Sequence, residues 1–471
     1  MNRHLLLPLA LGAALLTSAC STLEPALPEA RASVPKEWPQ TAASSPAVAA
    51  APNPAEDLGW RDFFRDPALQ QLVTLALDQN RDLRVAVLNV ERARSLYRIQ
   101  RADRLPSLAA SGSLTRSGGE SLPTTDAYRA EIGTTNFELD LFGRVHQLNA
   151  AALQGYLASE ETQRSVHLTL VAEVAQLYLT LGADRELLRL SEATLASQEA
   201  SLRLIERRHQ LGAVSSLDVS QARTLVESAR ASAANYAGIV AADTSALALL
   251  IGQPVPADLL PADFKAEKLA LLPVAAGLGS ELLLRRPDVL AAEHQLRAAN
   301  ANIGAARAAF FPSITLTAGV GTASDDLSNL FHSGTGVWSF VPRVTVPIFQ
   351  GGRLRANLGT AKADRDIALA RYEQAIQAAF REVSDALALT SSLQRQRAAL
   401  DALVAATART VELSQARYDA GQIGYLALLD AQRALFAAQQ SLIRSQTAEQ
   451  SNQVALYKAL GGGWREQSGA D

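Results

Sequence analysis

The residue whose type and position invite a covalent reaction is Cys20, the only cysteine among 471 residues. It follows the basic Met1-Asn2-Arg3-His4, the apolar run from Leu5 to Leu16 and the small residues Thr17-Ser18-Ala19, the layout of a secretory leader. A cysteine at that junction matches a bacterial lipoprotein signal, although Thr17 stands where Leu is usual. Cleavage before Cys20 lets its thiol carry a thioether-linked lipid at the new N-terminus. A lone thiol excludes an intramolecular disulfide and a Cys-based zinc cluster. His4, His146, His167, His209, His294 and His332 are dispersed, and no HExxH, P-loop or nucleophile elbow occurs. The chain is therefore expected not to be an enzyme and to need no cofactor beyond the lipid on Cys20. Lys+Arg 44 against Asp+Glu 47, a net charge of -3, lacks the basic excess of a nucleic-acid binder.

The elements around these residues are long. No proline interrupts the stretch from Arg144 to about Leu211, where Val174, Leu181, Leu188, Leu195 and Leu202 recur every seven residues as a coiled-coil seam. A helix there extends about 100 Å. The stretch from Leu354 to about Ala420 behaves likewise, with Leu369, Ile376 and Val383 in step. Shorter helices are predicted over Pro67 to Asp103, Leu217 to Ile251, Pro287 to Ala309 and Leu426 to Leu460. Beyond Leu16 no uninterrupted apolar stretch of roughly 18 residues is apparent, so a mature chain that spans a membrane must do so as a β-barrel.

Four stretches alternate in the way such strands require. Ser313 to Gly321 sets Ile314, Leu316, Ala318 and Val320 against Ser313, Thr315, Thr317 and Gly319. Ser107 to Thr115 and Val337 to Ile348 repeat the pattern. Ala127 to Leu141 changes phase between Ile132 and Phe137, which suggests a bulge at Gly133. Tyr128 and Trp338 suit the bilayer interface, and the polar stretches Ser117 to Asp126 and Ala323 to Thr335 suit the connecting loops. Four strands cannot close a useful barrel alone, so several chains must share one.

The chain also repeats itself. Arg104-Leu-Pro106-Ser107 is echoed by Phe311-Pro312-Ser313, and Leu141-Phe142-Gly143-Arg144 by Ile348-Phe349-Gln350-Gly351-Gly352-Arg353. Likewise Arg208-His-Gln-Leu-Gly212 matches Arg417-Tyr-Asp-Ala-Gly421. These landmarks divide the chain into a signal peptide over 1–19, a Pro/Ala/Ser-rich lipidated tether over 20–57, a first repeat over 58–256, a connector over 257–286, a second repeat over 287–464 and a tail over 465–471.

With Trp60-Arg-Asp-Phe63-Phe64-Arg-Asp66-Pro67, Leu284-Arg285-Arg286-Pro287-Asp288-Val289, Ala309-Phe310-Phe311-Pro312-Ser313, Pro347 to Arg353 and Leu429-Asp430-Ala431-Gln432-Arg433, the sequence resembles the TolC-like outer-membrane efflux factors, in their OprM/NodT-type lipoprotein branch. The resemblance runs from Trp60 to Trp464. Gly279 and Glu281 depart from it, standing where the family usually has Pro and Asp. It implies an α+β membrane protein: a homotrimer whose twelve-stranded β-barrel, four strands per chain, continues into an α-helical coiled-coil periplasmic tunnel. It further implies a periplasmic adaptor protein, a proton-driven inner-membrane pump of the resistance-nodulation-division type, and small-molecule cargo leaving a Gram-negative cell. The residues matching the family's periplasmic constriction are Leu426, Asp430 and Arg433, with Ala427 at its second acidic position. Leu426 and Asp430, four apart, share a helical face. Arg208, Gly212, Ser216, Leu217 and Asp218 in one half, with Arg417 and Gly421 in the other, are the candidate adaptor contacts at the tips. Three other readings are weighed against it: a duct for type I protein secretion, a periplasmic coiled-coil adaptor or scaffold, and a secreted helical enzyme, which would need a reactive cluster that the sequence does not show.

Overall fold

The computed structural model describes residues 23–31, 34–35, 58–261 and 280–468. Cys20, the signal peptide, most of the tether and connector residues 262–279 lie outside the described residues. The elements are α1 (Trp60–Phe63), α2 (Pro67–Gln79), α3 (Arg81–Ala102), β1 (Ala109–Gly119), β2 (Leu122–Leu139), α4 (Arg144–Gln210) and α5 (Ser216–Ile251), followed by α6 (Pro287–Ala308), β3 (Ser313–Ser324), β4 (Gly336–Thr345), α7 (Arg353–Asp419) and α8 (Tyr425–Ala459). The order helix, two strands, long helix, helix occurs twice. Both long helices have 67 residues, and α7 begins and ends 209 positions after α4.

Contacts divide the chain into two compact units. One contains the described residues of Met1–Ala32, Leu88–Glu161 and Leu290–Ala375; the other contains the described residues of Ser33–Val87, Thr162–Val289 and Ile376–Asp471. The first unit carries a four-stranded antiparallel sheet in the order β1-β2-β3-β4. In it the Asn300 side chain donates to Glu24 Oε1 at 2.9 Å and to the Pro25 carbonyl at 2.8 Å, and Arg307 donates to the Leu23 carbonyl. The start of the tether is thereby strapped along α6.

The second unit explains two of the motifs. Trp60, Phe63, Phe64 and Tyr457 are fully buried, with Phe63 stacked on Tyr457 at 3.9 Å. Asp66 caps α2, its Oδ1 accepting from the Ala68 and Leu69 amides, and Pro67 occupies the first helical position, where its missing N–H costs nothing. The motif is thus an aromatic core followed by a helix start. The expected tail is held in place: the Trp60 and Arg61 amides donate to the Arg465 and Glu466 carbonyls, and Ser468 bonds Gly59 and Asp62.

Four expectations need correction. Pro67 to Asp103 is two helices, because Asn80 ends α2 with extended backbone, its Oδ1 accepts from the Leu83 amide, and its Nδ2 donates to Leu250 at the end of α5. Ser117 to Asp126 is strand rather than loop, since β1 and β2 pair through Gly119↔Leu122 around a tight turn at Glu120 and Ser121. The β2 bulge falls between Thr134 and Phe137, with Asn136 at φ 56°, and not at Gly133. Gly133 stays in register with Ala109 and Gly319, and a Cβ there would lie 2.3 Å from the Ala318 carbonyl oxygen, so the close approach admits only glycine. Finally, α4 and α5 each contain a window long and apolar enough to cross a membrane by length and composition alone. Their Ala, Leu and Val content supplies that hydropathy, and in α4 most of the window is buried within the chain.

The seam is partly as expected. Val174, Leu181, Ile376 and Val383 are buried. Toward Gly212 the inward positions shift to Ser191, Gln198 and Ile205, leaving Leu188, Leu195 and Leu202 half-buried. A 3.6-residue turn drifts against a strict seven-residue repeat.

Candidate functional site

The sheet separates apolar from polar over most of its extent, with the Arg116–Asp126 ion pair near the β1–β2 turn on the otherwise apolar face and Val341 on the otherwise polar one. Cross-strand partners share a face, and the register aligns Leu114 with Tyr128, Ala110 with Ile132, Ile132 with Val320, and Val320 with Trp338. Phe340, Val344, Ile314 and Leu316 continue the same face. The bulge before Phe137 keeps Phe137 and Leu139 on that face after the phase change. The opposite face carries Arg129, Glu131, Thr315, Thr317, Ser339 and Arg343, with Arg129 and Glu131 paired at 3.3 Å. Trp338, Phe340 and Val344 are exposed, and the outer edges of β1 and β4 pair with no described strand. Tyr128 and Trp338 both sit on the apolar face toward the end bearing the loop between β3 and β4. A sheet with one apolar and one wettable face is what a membrane barrel wall requires.

The two tips have the same construction. Gly212 and Gly421 lie at φ 74° and 70°. The Gly212 and Ala213 amides donate to the His209 and Arg208 carbonyls, and the Gly421 and Gln422 amides to Tyr418 and Arg417. Each is a Schellman cap, with glycine in the left-handed conformation that a side chain resists. Ser215 then caps α5 in a reciprocal box, its hydroxyl accepting from the Asp218 amide while the Asp218 carboxylate accepts from the Ser215 amide at 2.9 Å. Asp218 thus shapes the tip, whereas Ser216 and Leu217 stand on its surface and Arg417 is exposed.

The structure brings the tips together. Ile205, Ala222 and Leu225 from the first repeat bury against Tyr425, Leu428 and Leu429 from the second. The Arg208 guanidinium lies 5.6 Å from the Tyr418 ring centroid, and Tyr418 and Tyr425 are 5.4 Å apart. Gln198 donates to Gln432 at 3.0 Å. Burial, followed by Tyr418 and Asp218, pushes the Tyr425 phenol up to about 12. Sequence reasoning missed Tyr425 and the exposed Leu211. An aromatic residue directly after Gly424 at a helix start was the available signal for Tyr425.

Because Tyr425, Leu428 and Leu429 turn inward, Leu426, Asp430 and Arg433 are left on the outer face of α8. The Asp430 side chain is 65% exposed and only 3.9 Å from Arg433, a loose ion pair. All three expected constriction residues therefore point away from their own chain's core.

A family model described as outer membrane efflux protein matches residues 72–253 and 278–462. The chain belongs to the outer membrane efflux protein family. It is 48% identical over 465 residues to the probable efflux pump outer membrane protein TtgC of Pseudomonas putida, covering 97% of this chain and 95% of that one. It is 45% identical over 460 residues to the outer membrane protein OprJ of Pseudomonas aeruginosa, covering 96% and 95%. Among solved structures, the open state of the Neisseria gonorrhoeae MtrE outer membrane channel superposes with a TM-score of 0.87 at 39% identity, covering 96% of this chain and all of that one. The protein is an efflux protein of the Gram-negative outer membrane, similar in fold to known channels.

Proposed function

We propose that three copies close their sheets into a twelve-stranded barrel and extend their duplicated helices into a periplasmic tunnel, the exit duct of a tripartite efflux system. The observation that carries this reading is the sheet: one largely apolar face, one largely polar face and two edges that pair with no described strand. A bilayer tolerates no unpaired strand edge, and closure through further copies removes both. Cys20 bears the lipid that anchors the N-terminus. The exposed apolar stretch of α5 faces neighbouring copies in this assembly. The tips around Gly212 and Gly421, with Leu211 and Leu217 exposed, receive a periplasmic adaptor that couples the duct to a proton-driven inner-membrane pump delivering small molecules.

In this reading Leu426 and Asp430 form the narrow end, three leucines making an apolar constriction and three carboxylates an acidic ring that favours cations. The test is single-channel conductance of the purified protein in planar bilayers, compared with Asp430→Ala. A small or flickering conductance that rises in the variant is expected. Equal, steady conductance in both discards Asp430 as the gate, and silence in both removes the channel reading.

A further inference from the structure

At the base of the sheet, Phe142 stacks on Phe311 with ring centroids 4.8 Å apart. Phe142 lies just beyond β2, and Phe311 just before β3, the strand beside it. The internal repeat supplies a counterpart for each ring. Phe311-Pro312-Ser313 corresponds to Leu105-Pro106-Ser107, and Phe142-Gly143-Arg144 to the segment Phe349 to Arg353. Phe349 lies just beyond β4 and Leu105 just before β1. These two strands are the unpaired edges. Within the chain the counterparts do not meet: Phe349 is 89% exposed and Leu105 is 72% exposed.

The cavities at the base follow the same correspondence. One, of about 340 Å³, is lined by Phe311, Pro312, Arg353, Leu354 and Asn357, and the β2 end from Glu138 to Phe142 enters it. The other, of about 540 Å³, is lined by Leu105, Pro106, Arg144, Val145 and Leu148. Arg353, Leu354 and Asn357 each follow Arg144, Val145 and Leu148 by 209 positions. The larger cavity is thus the smaller one without the segment beyond the neighbouring strand.

We infer that Phe349 of one copy enters the cavity beside β1 of a second copy and packs on its Leu105, an intersubunit repeat of the Phe142–Phe311 stack. The inference rests on the proposed assembly of several copies and adds to it a specific contact and register. Direction fits: β2 runs down to Leu139 opposite Ile314, and β3 begins there. An antiparallel closure of β4 onto β1 puts the residues after Thr345 beside those before Ala109 in the same way.

The experiment uses the full-length, membrane-extracted protein carrying Leu105→Cys and Phe349→Cys together, oxidised and run on a non-reducing denaturing gel. Each single variant, which retains Cys20, serves as control. Covalent dimers and trimers in the double variant alone are expected. In parallel, Leu105→Ala, Phe349→Ala and the double alanine variant are compared by the detergent concentration that dissociates the oligomer. Contacting side chains give a double variant little weaker than the worse single variant. Fully additive losses, with no cysteine linkage in a chain that still runs as a trimer by native mass, overturn the contact and leave the assembly standing. A native mass of one chain for the unsubstituted protein overturns the assembly as well.

Discussion

Replacing Arg286 with methionine should loosen the end of α8 without disturbing the rest of the fold. The Arg286 side chain is 8% exposed. Its Nε and Nη2 donate to Asp288 at 3.0 and 2.7 Å, Nη2 also to Glu382 at 2.8 Å, and Nη1 to the Ala459 carbonyl at 2.8 Å. Burial works against the charge, but the hydrogen bond and charge of Asp288, then Glu382, outweigh it and raise the guanidinium pKa. Removing one partner of a fully buried ion pair costs about 3–5 kcal/mol. Here Asp288 and Glu382 keep 39% and 52% of their side-chain exposure and return to water when Arg286 is lost. The remaining loss is dominated by the orphaned Ala459 carbonyl, about 1–3 kcal/mol. With methionine filling the volume, about 2 kcal/mol is expected, roughly a thirtyfold rise in local opening. Hydrogen exchange at the amides of the last two turns of α8 measures it, a local readout suited to a chain with two units. Arg286→Lys, which keeps the charge but not the fork, should fall between. Exchange in the methionine variant within threefold of the parent would refute the assignment of Arg286 as the lock on α8.

Asp184 should make the helical part of the molecule less stable as pH rises. Burial, then Asp243, pushes its carboxyl up to about 6, with Arg444 opposing. The folded state therefore holds a proton that the unfolded chain releases near pH 4, so this contribution is present at low pH and is lost as pH rises through about 6. Asp184→Asn should melt like the parent at pH 4 and about 2–4 °C higher at pH 7.5, the effect of roughly 1 kcal/mol after discounting for the group's exposed part. A difference independent of pH would sink that account. Tyr425→Phe removes a buried hydroxyl with no hydrogen-bond partner among the described residues and keeps the ring. Tip protection in hydrogen exchange should hold or rise by up to about 1 kcal/mol, whereas Tyr425→Ala should cost about 3–5 kcal/mol. A large loss in the phenylalanine variant would point to a bonded hydroxyl.

The helices were legible because their signals are local. Proline-free heptads mark α4 and α7, and Gly212 and Gly421 mark their ends at left-handed positions that the sequence announces through glycine itself. The sheet was legible from alternation, including the phase change in β2, but the position of its bulge was not. Asn136 adopts positive φ because of pairing with β3, 181 positions away in the case of the Asn136 amide and Thr317 Oγ1. The division at Asn80 was hidden for the same reason, since its side chain is held by Leu250 from the far end of the first repeat. For the proposed constriction, Leu426, Asp430 and Arg433 came through resemblance, while the inward face of Tyr425, Leu428 and Leu429 required the tips to meet.

Duplication also separates what one chain can satisfy from what it leaves open. In both repeats an aromatic residue, Phe142 or Phe349, lies between the second strand and the glycine that precedes the long helix, and a Pro-Ser pair, Pro106-Ser107 or Pro312-Ser313, stands at the approach to the first strand. The first repeat finds its neighbour in the second repeat of the same chain, so Phe142 has Phe311. Among the described residues nothing stands beside β4 in the same way, so Phe349, Ile348 and the edge of β4 are exposed, as are Leu105 and Leu108 beside the edge of β1. Buried apolar surface stabilises by about 25 cal/mol per Å², and an unpaired strand edge in lipid costs several kcal/mol for each group. In the proposed assembly, the first repeat of another copy would cover these residues and pair the open edge, as the second repeat does for the first within one chain.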